Sequence, residues 1–128
     1  FHKEIPIFGV CLGHQVIGAA FNSRVIKANQ VIHGKVDNLI HQNHPFFEGV
    51  PKHFKATRYH SLMIDKDSLS DQLEVLATSD SDQIIMAIKH RAHDVYGVQF
   101  HPESYATPEG MKLIESFINI TQSKGGPS

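Results

Sequence analysis

Cys11 is the single cysteine of a 128-residue chain, and it stands between two glycines in Gly9-Val10-Cys11-Leu12-Gly13, where an apolar run gives way to a helical pattern. That is the local arrangement of a nucleophile elbow with sulfur in place of oxygen. Glycines at such a junction let neighbouring backbone pass close to a strained turn residue. The helix amino terminus behind the thiol favours thiolate, which predicts a lowered thiol pKa. Leu12, the next residue, is placed to offer its backbone N–H to an oxyanion. Most lone cysteines are small buried hydrophobes, and the glycine-flanked junction weighs against that reading here.

A second segment, Val98-Gln99-Phe100-His101-Pro102-Glu103, ends a strand pattern in a base and a carboxylate two residues apart. Period-two geometry puts both on one side, so Glu103 can orient the His101 imidazole and leave its other ring nitrogen free to meet a thiol. A weak His–Glu pair on an exposed loop is the alternative, in a chain with 10 histidines. Tyr59-His60-Ser61 has no glycine-flanked elbow to make Ser61 a nucleophile. His41, His44, His53, His60, His90 and His93 show no helical ligand spacing, so no metal site is expected.

The elements that must carry these residues can be read coarsely. Residues 5–10 form a short apolar run suited to a strand buried on both faces of a parallel sheet, and a helix follows over 13–21, with Val16, Ile17, Ala19, Ala20 and Phe21 at helical spacings. Residues 25–39 read as short antiparallel strands or hairpins, and 43–51 as a loop with one helical turn. In that loop Phe46 and Phe47 are expected to anchor on the core. A strand is expected over 54–59, followed by three consecutive sheet strands in 73–77, 84–89 and 95–100, with Lys89-His90-Arg91 a solvated turn. Thr107-Pro108-Glu109 has the N-cap, first-turn proline and carboxylate that open a last helix, with Met111, Ile114, Phe117 and Ile118 on one face. The count is α/β, with too few helices for a complete doubly wound sheet.

Composition bounds the function. A formal net charge of -1 gives no basic surplus for a phosphate backbone, so nucleic acid is not an expected partner. No apolar run reaches the ~18 residues of a membrane helix, so no membrane association is expected. One cysteine precludes an internal disulfide and points to a reducing, cytoplasmic setting. The apolar entry near Phe1 predicts that something precedes the chain.

Three segments together, Cys11-Leu12-Gly13-His14-Gln15, Arg58-Tyr59-His60-Ser61-Leu62 and Gly97-Val98-Gln99-Phe100-His101-Pro102-Glu103-Ser104, resemble in order the signatures of class I glutamine amidotransferases. The likeness is nearest to the glutaminase subunits of anthranilate and aminodeoxychorismate synthases, with His33-Gly34-Lys35 and Tyr105-Ala106-Thr107-Pro108-Glu109-Gly110 adding to it. The resemblance implies a flavodoxin-like three-layer α/β sandwich over 1–122, truncated at the amino terminus, and a flexible tail over 123–128. It implies Cys11 as nucleophile, His101 as general base and acid, Glu103 orienting His101, and Gln15, Ser61 and Leu62 holding L-glutamine. No cofactor is implied. The partner would be a chorismate-binding synthase large subunit that receives ammonia. The family's amino-terminal βα units and Gly-Pro-Gly-type loop, which supply oxyanion and substrate contacts, are expected to be missing, and with them part of the pocket. A thiol hydrolase of the same fold shares Cys11 and His101 but needs neither Gln15 nor the Tyr59-His60-Ser61-Leu62 segment. A docking module without catalysis predicts an unreactive Cys11.

Overall fold

The computed structural model describes residues 6–80, 83–103 and 107–125, with the backbone alone for 28–35, 58–61 and 122–125. In chain order the elements are β1 (Ile7–Val10), α1 (Leu12–Ala20), β2 (Val25–His41), β3 (His53–Ile64), β4 (Leu73–Ser79), β5 (Ile85–His90), β6 (Val95–Val98) and α2 (Gly110–Gly125), with a 3-10 turn at Pro45–Phe47. The six strands form one sheet in the order β1-β6-β5-β4-β2-β3. Only β1 and β6 run parallel, in the register Ile7↔Val95 to Val10↔Val98. The β6-β5, β5-β4, β4-β2 and β2-β3 pairs are antiparallel. The three strands expected between residues 73 and 100 are therefore sheet neighbours.

Alternation along the central strands separates two apolar layers. Met86, Tyr96 and Val98 join Phe46, Phe47, Phe54, Phe100 and Leu113 on the face covered by α2 and the 3-10 turn. Ile85, Ile88 and Val95 join Ile17, Ile64 and Leu73 on the face covered by α1. A sheet buried on both faces between helices is the sandwich that the sequence predicts. Phe46 is 0% exposed and Phe47 2%, so the expected anchors are core residues. Phe46 packs edge-on to Phe8 and Phe47 and stacks on Tyr96.

Several expectations need correction. β2 is one strand of 17 residues rather than several short ones; register shifts at Lys27/Ile32 and His33/Lys35 absorb the breaks that the sequence suggests. β1 is not buried on both faces, since Ile7 is 48% exposed and β6 is its one partner among the described residues. On α1 the buried positions are His14, Gln15, Ile17 and Gly18, while Val16 faces out. The core-facing line of α2 is Leu113, Phe117 and Ile120, with Met111 and Ile118 exposed.

Thr107 does not cap that helix. Its hydroxyl accepts from the Thr57 N–H at 2.9 Å, and α2 begins at Gly110. A Cβ at Gly110 would lie 1.7 Å from the Pro102 carbonyl oxygen, so only glycine lets the helix start press on the segment carrying His101. Lys89 and His90 are buried rather than solvated; the Lys89 ammonium donates to the His90 carbonyl at 2.6 Å and to that of His93 at 3.3 Å. Residues 123–125, expected in the tail, continue α2.

Candidate active site

β1 and β6, as parallel neighbours, deliver their carboxyl ends to one place, where open α/β sheets bind ligands. Cys11 leaves β1 there with φ 56° and ψ -101°, a left-handed conformation that costs a non-glycine residue roughly 1–3 kcal/mol. The Cys11 N–H donates to the Val98 carbonyl at 2.7 Å, which locks the elbow onto β6, and the Cys11 carbonyl accepts from Gln15 at 3.2 Å, which starts the helix. The two flanking glycines differ in purpose. A Cβ at Gly9 would lie 2.7 Å from the Gly13 backbone and 2.8 Å from Ile17 Cδ1, whereas a Cβ at Gly13 would meet nothing within 4 Å. Only the first is sterically required, contrary to the expectation for both.

His101 follows β6 by three positions. Its N–H donates to the Thr57 carbonyl at 3.3 Å, and its Nδ1 pairs with Glu103 Oε2 at 2.8 Å. The expected base and carboxylate are thus joined through the imidazole Nδ1. The His101 side chain is 28% exposed and that of Glu103 64%, so the pair sits at the surface end of the sheet.

The groups around Cys11 together oppose the lowered thiol pKa that the sequence predicts. Burial pushes its thiol up from the ordinary value, and the Glu103 carboxylate adds to the rise; the Leu12 N–H and the Gln99 amide, both directed at the sulfur, offset part of it. The net direction is upward, because desolvating a thiolate outweighs two hydrogen bonds. The upward direction favours thiol over thiolate, and the Leu12 N–H is already directed at the sulfur.

Gln15 is 6% exposed and donates from Nε2 to the Leu62 carbonyl and to Gln99 Oε1, both at 3.2 Å. Gln15 and Leu62 are therefore brought together next to Cys11. The side chain of Ser61 lies outside the described residues, as do those of His33, Lys35, Arg58, Tyr59 and His60, and so do Ser104, Tyr105 and Ala106 altogether. Sequence reasoning assigned no role to Gln99, although a polar residue between Val98 and Phe100, each 0% exposed, must find partners if it is buried too. A hollow of about 380 Å³ between the 3-10 turn and α2 is lined by Glu48, Lys112 and Asn119 and contains neither Cys11 nor His101. No group of three or more metal-ligating side chains occurs among the described residues.

Residues 1–120 match the family model described as glutamine amidotransferase class-I. The chain belongs to the class I glutamine amidotransferases. It is 47% identical over 120 residues to the bifunctional protein TrpGD of Thermotoga maritima, covering 94% of this chain and 20% of that one. Anthranilate synthase component 2 of Azospirillum brasilense is 45% identical, with 92% of this chain and 60% of the relative covered. Aminodeoxychorismate synthase component 2 of Serratia marcescens is 44% identical, with 93% and 64% covered. Among solved structures, a putative GMP synthase protein of Thermoplasma acidophilum superposes with a TM-score of 0.86 at 28% identity, covering 95% of this amidotransferase chain and 60% of that one. The chain spans about 60% of the length of its component 2 relatives.

Proposed function

We propose that this amidotransferase chain hydrolyses glutamine and passes the ammonia to a synthase that aminates chorismate. The observation that carries the reading is the strained Cys11 elbow at the end of β1, bonded to β6, whose continuation carries the paired His101 and Glu103. In this mechanism His101 Nε2 takes the thiol proton and Cys11 Sγ attacks the side-chain carboxamide carbon. The C–N bond breaks as His101 returns the proton to the departing nitrogen, giving ammonia and a γ-glutamyl thioester. Water, deprotonated by His101, then attacks the thioester and releases glutamate and the thiol. Glu103 keeps the imidazole oriented and stabilises its charged form. Gln15, Ser61 and Leu62 hold the substrate.

Delivery to a partner is supported by the component 2 names of the relatives and by the surroundings of the thiol. Leu12 and Val16, one turn apart on α1, are 66% and 57% exposed, and Leu62 is 37% exposed. Exposed apolar side chains beside a site whose product protonates in water suit a mouth covered by the acceptor enzyme.

The test is mass spectrometry after exposure to a diazo-ketone analogue of glutamine, with the chain alone and joined to the amino-terminal region of its relatives. An adduct on Cys11 in the joined chain, blocked by excess glutamine and lost in His101→Ala, is expected. A folded joined chain with no adduct on Cys11 would overturn the proposal and favour a docking module without catalysis.

A further inference from the structure

Gln99 is fully buried at 0% exposure directly after β6, and its side chain is engaged at both ends. The direction of each bond follows from an acceptor that has no choice. The Leu62 carbonyl can only accept, so the Gln15 nitrogen faces it, and the same nitrogen meets Gln99. The Gln99 oxygen must then face Gln15. Its NH2 is left facing Cys11 Sγ, at 3.7 Å, a hydrogen-bond distance for sulfur. Hydrogen bonds thus link the β3 backbone, Gln15, Gln99 and the thiol, Gln15 donating to both Leu62 and Gln99 and Gln99 donating to the sulfur.

We propose that Gln99 is a positioning residue: its amide holds the Cys11 sulfur in the attacking orientation and ties the nucleophile to Gln15 and Leu62. This deepens the glutaminase reading and rests on it. The consequence is that a ligand displacing Gln15 is felt at the sulfur through one intervening amide. The same N–H favours thiolate against the desolvation that opposes it. Other groups act on the sulfur too: Glu103 raises the thiol pKa, His101 lies at the same end of the sheet, and α1 brings no acidic residue in its first turn.

Two variants divide the role. Gln99→Glu keeps an oxygen for Gln15 but replaces the donor at the sulfur with a carboxylate; Gln99→Met keeps the shape and removes both bonds. The readout is the rate of Cys11 alkylation by iodoacetamide as a function of pH, with the adduct located by mass spectrometry and folding checked by circular dichroism. Both variants are expected to move the midpoint to higher pH, Gln99→Glu further, with alkylation at pH 7 slowed roughly tenfold in Gln99→Met. A midpoint unchanged in folded Gln99→Met overturns the proposal, whether or not Gln99→Glu folds with its buried carboxylate. Protection of wild-type Cys11 by glutamine is scored separately, so the glutaminase reading and the role of Gln99 fail independently.

Discussion

At the scale of single residues, the elbow shows how one missing carbon permits a strained turn. Gly9 and Gly13 look equivalent around Cys11, yet a Cβ at Gly9 would overlap the Gly13 backbone and Ile17 at 2.7 and 2.8 Å. Relief requires moving α1 away from β1, because the clash is with backbone. Gly9→Ala is expected to cost about 1–3 kcal/mol, the usual range for overpacking, and to lower thiol reactivity as the elbow shifts. Gly13 lies inside α1 with open space where its side chain would be. Gly13→Ala is expected to raise stability by about 0.5–1 kcal/mol through helix propensity. Urea denaturation of the two variants should move the midpoint in opposite directions; equal losses would show that the turn, not the contact, dictates both glycines. The raised Cys11 thiol belongs to this scale as well. If His101 is the base proposed, alkylation of Cys11 at pH 7 is expected to slow in His101→Ala and to recover as the pH rises, since alkali alone can then make the thiolate.

At the scale of elements, what was legible in the sequence was what local pattern encodes. The strand, elbow and helix around Cys11, the base–carboxylate spacing of His101 and Glu103 and the helical turn at Pro45 were legible because each is specified within a few residues. The continuity of β2 was not, because irregular registers against β3 let one strand carry residues that individually read as breaks. Thr107 misled because a hydroxyl before proline and glutamate is an N-cap pattern, while the fold uses that hydroxyl for the Thr57 N–H. The buried faces of α1 and α2 were misread for one reason: an apolar stripe shows what can be buried, and the sheet decides what is. On α1 the sheet end buries the polar residues His14 and Gln15 and leaves Val16 outside. The 3-10 turn makes a test of this scale. Phe46 contacts Phe8, Phe47 and Tyr96 at 0% exposure, so Phe46→Ala should cost about 3–5 kcal/mol, read as a lowered denaturation midpoint. A loss under ~1 kcal/mol would mean that the turn is peripheral to the α2 layer.

At the scale of the whole molecule, stability against alkali gathers on one side chain. Tyr96, on β6, lies at 1% exposure, stacked on Phe46, edge-on to Phe117 and beneath the Lys89 ammonium at 5.6 Å. Its hydroxyl has no hydrogen-bond partner among the described residues. Burial, with Asp94 and Glu74 adding negative charge nearby, pushes its pKa up to about 12. A phenol whose folded pKa is raised contributes stability that is fully present below its unfolded pKa of about 10 and is lost as the pH climbs through the folded value. The domain is therefore expected to lose roughly 2–3 kcal/mol between about pH 10 and 12, since a tenfold change in proton affinity corresponds to about 1.4 kcal/mol. Tyr96→Phe removes both the ionisation and a buried hydroxyl without a partner, so it should gain about 1 kcal/mol at pH 7 and flatten the alkaline limb. Urea midpoints measured from pH 7 to 12, with tyrosinate absorbance followed in parallel, separate the two effects. A variant with the wild-type alkaline limb would assign the loss to lysines spread over the surface, because the Tyr96 phenol would then be a spectator.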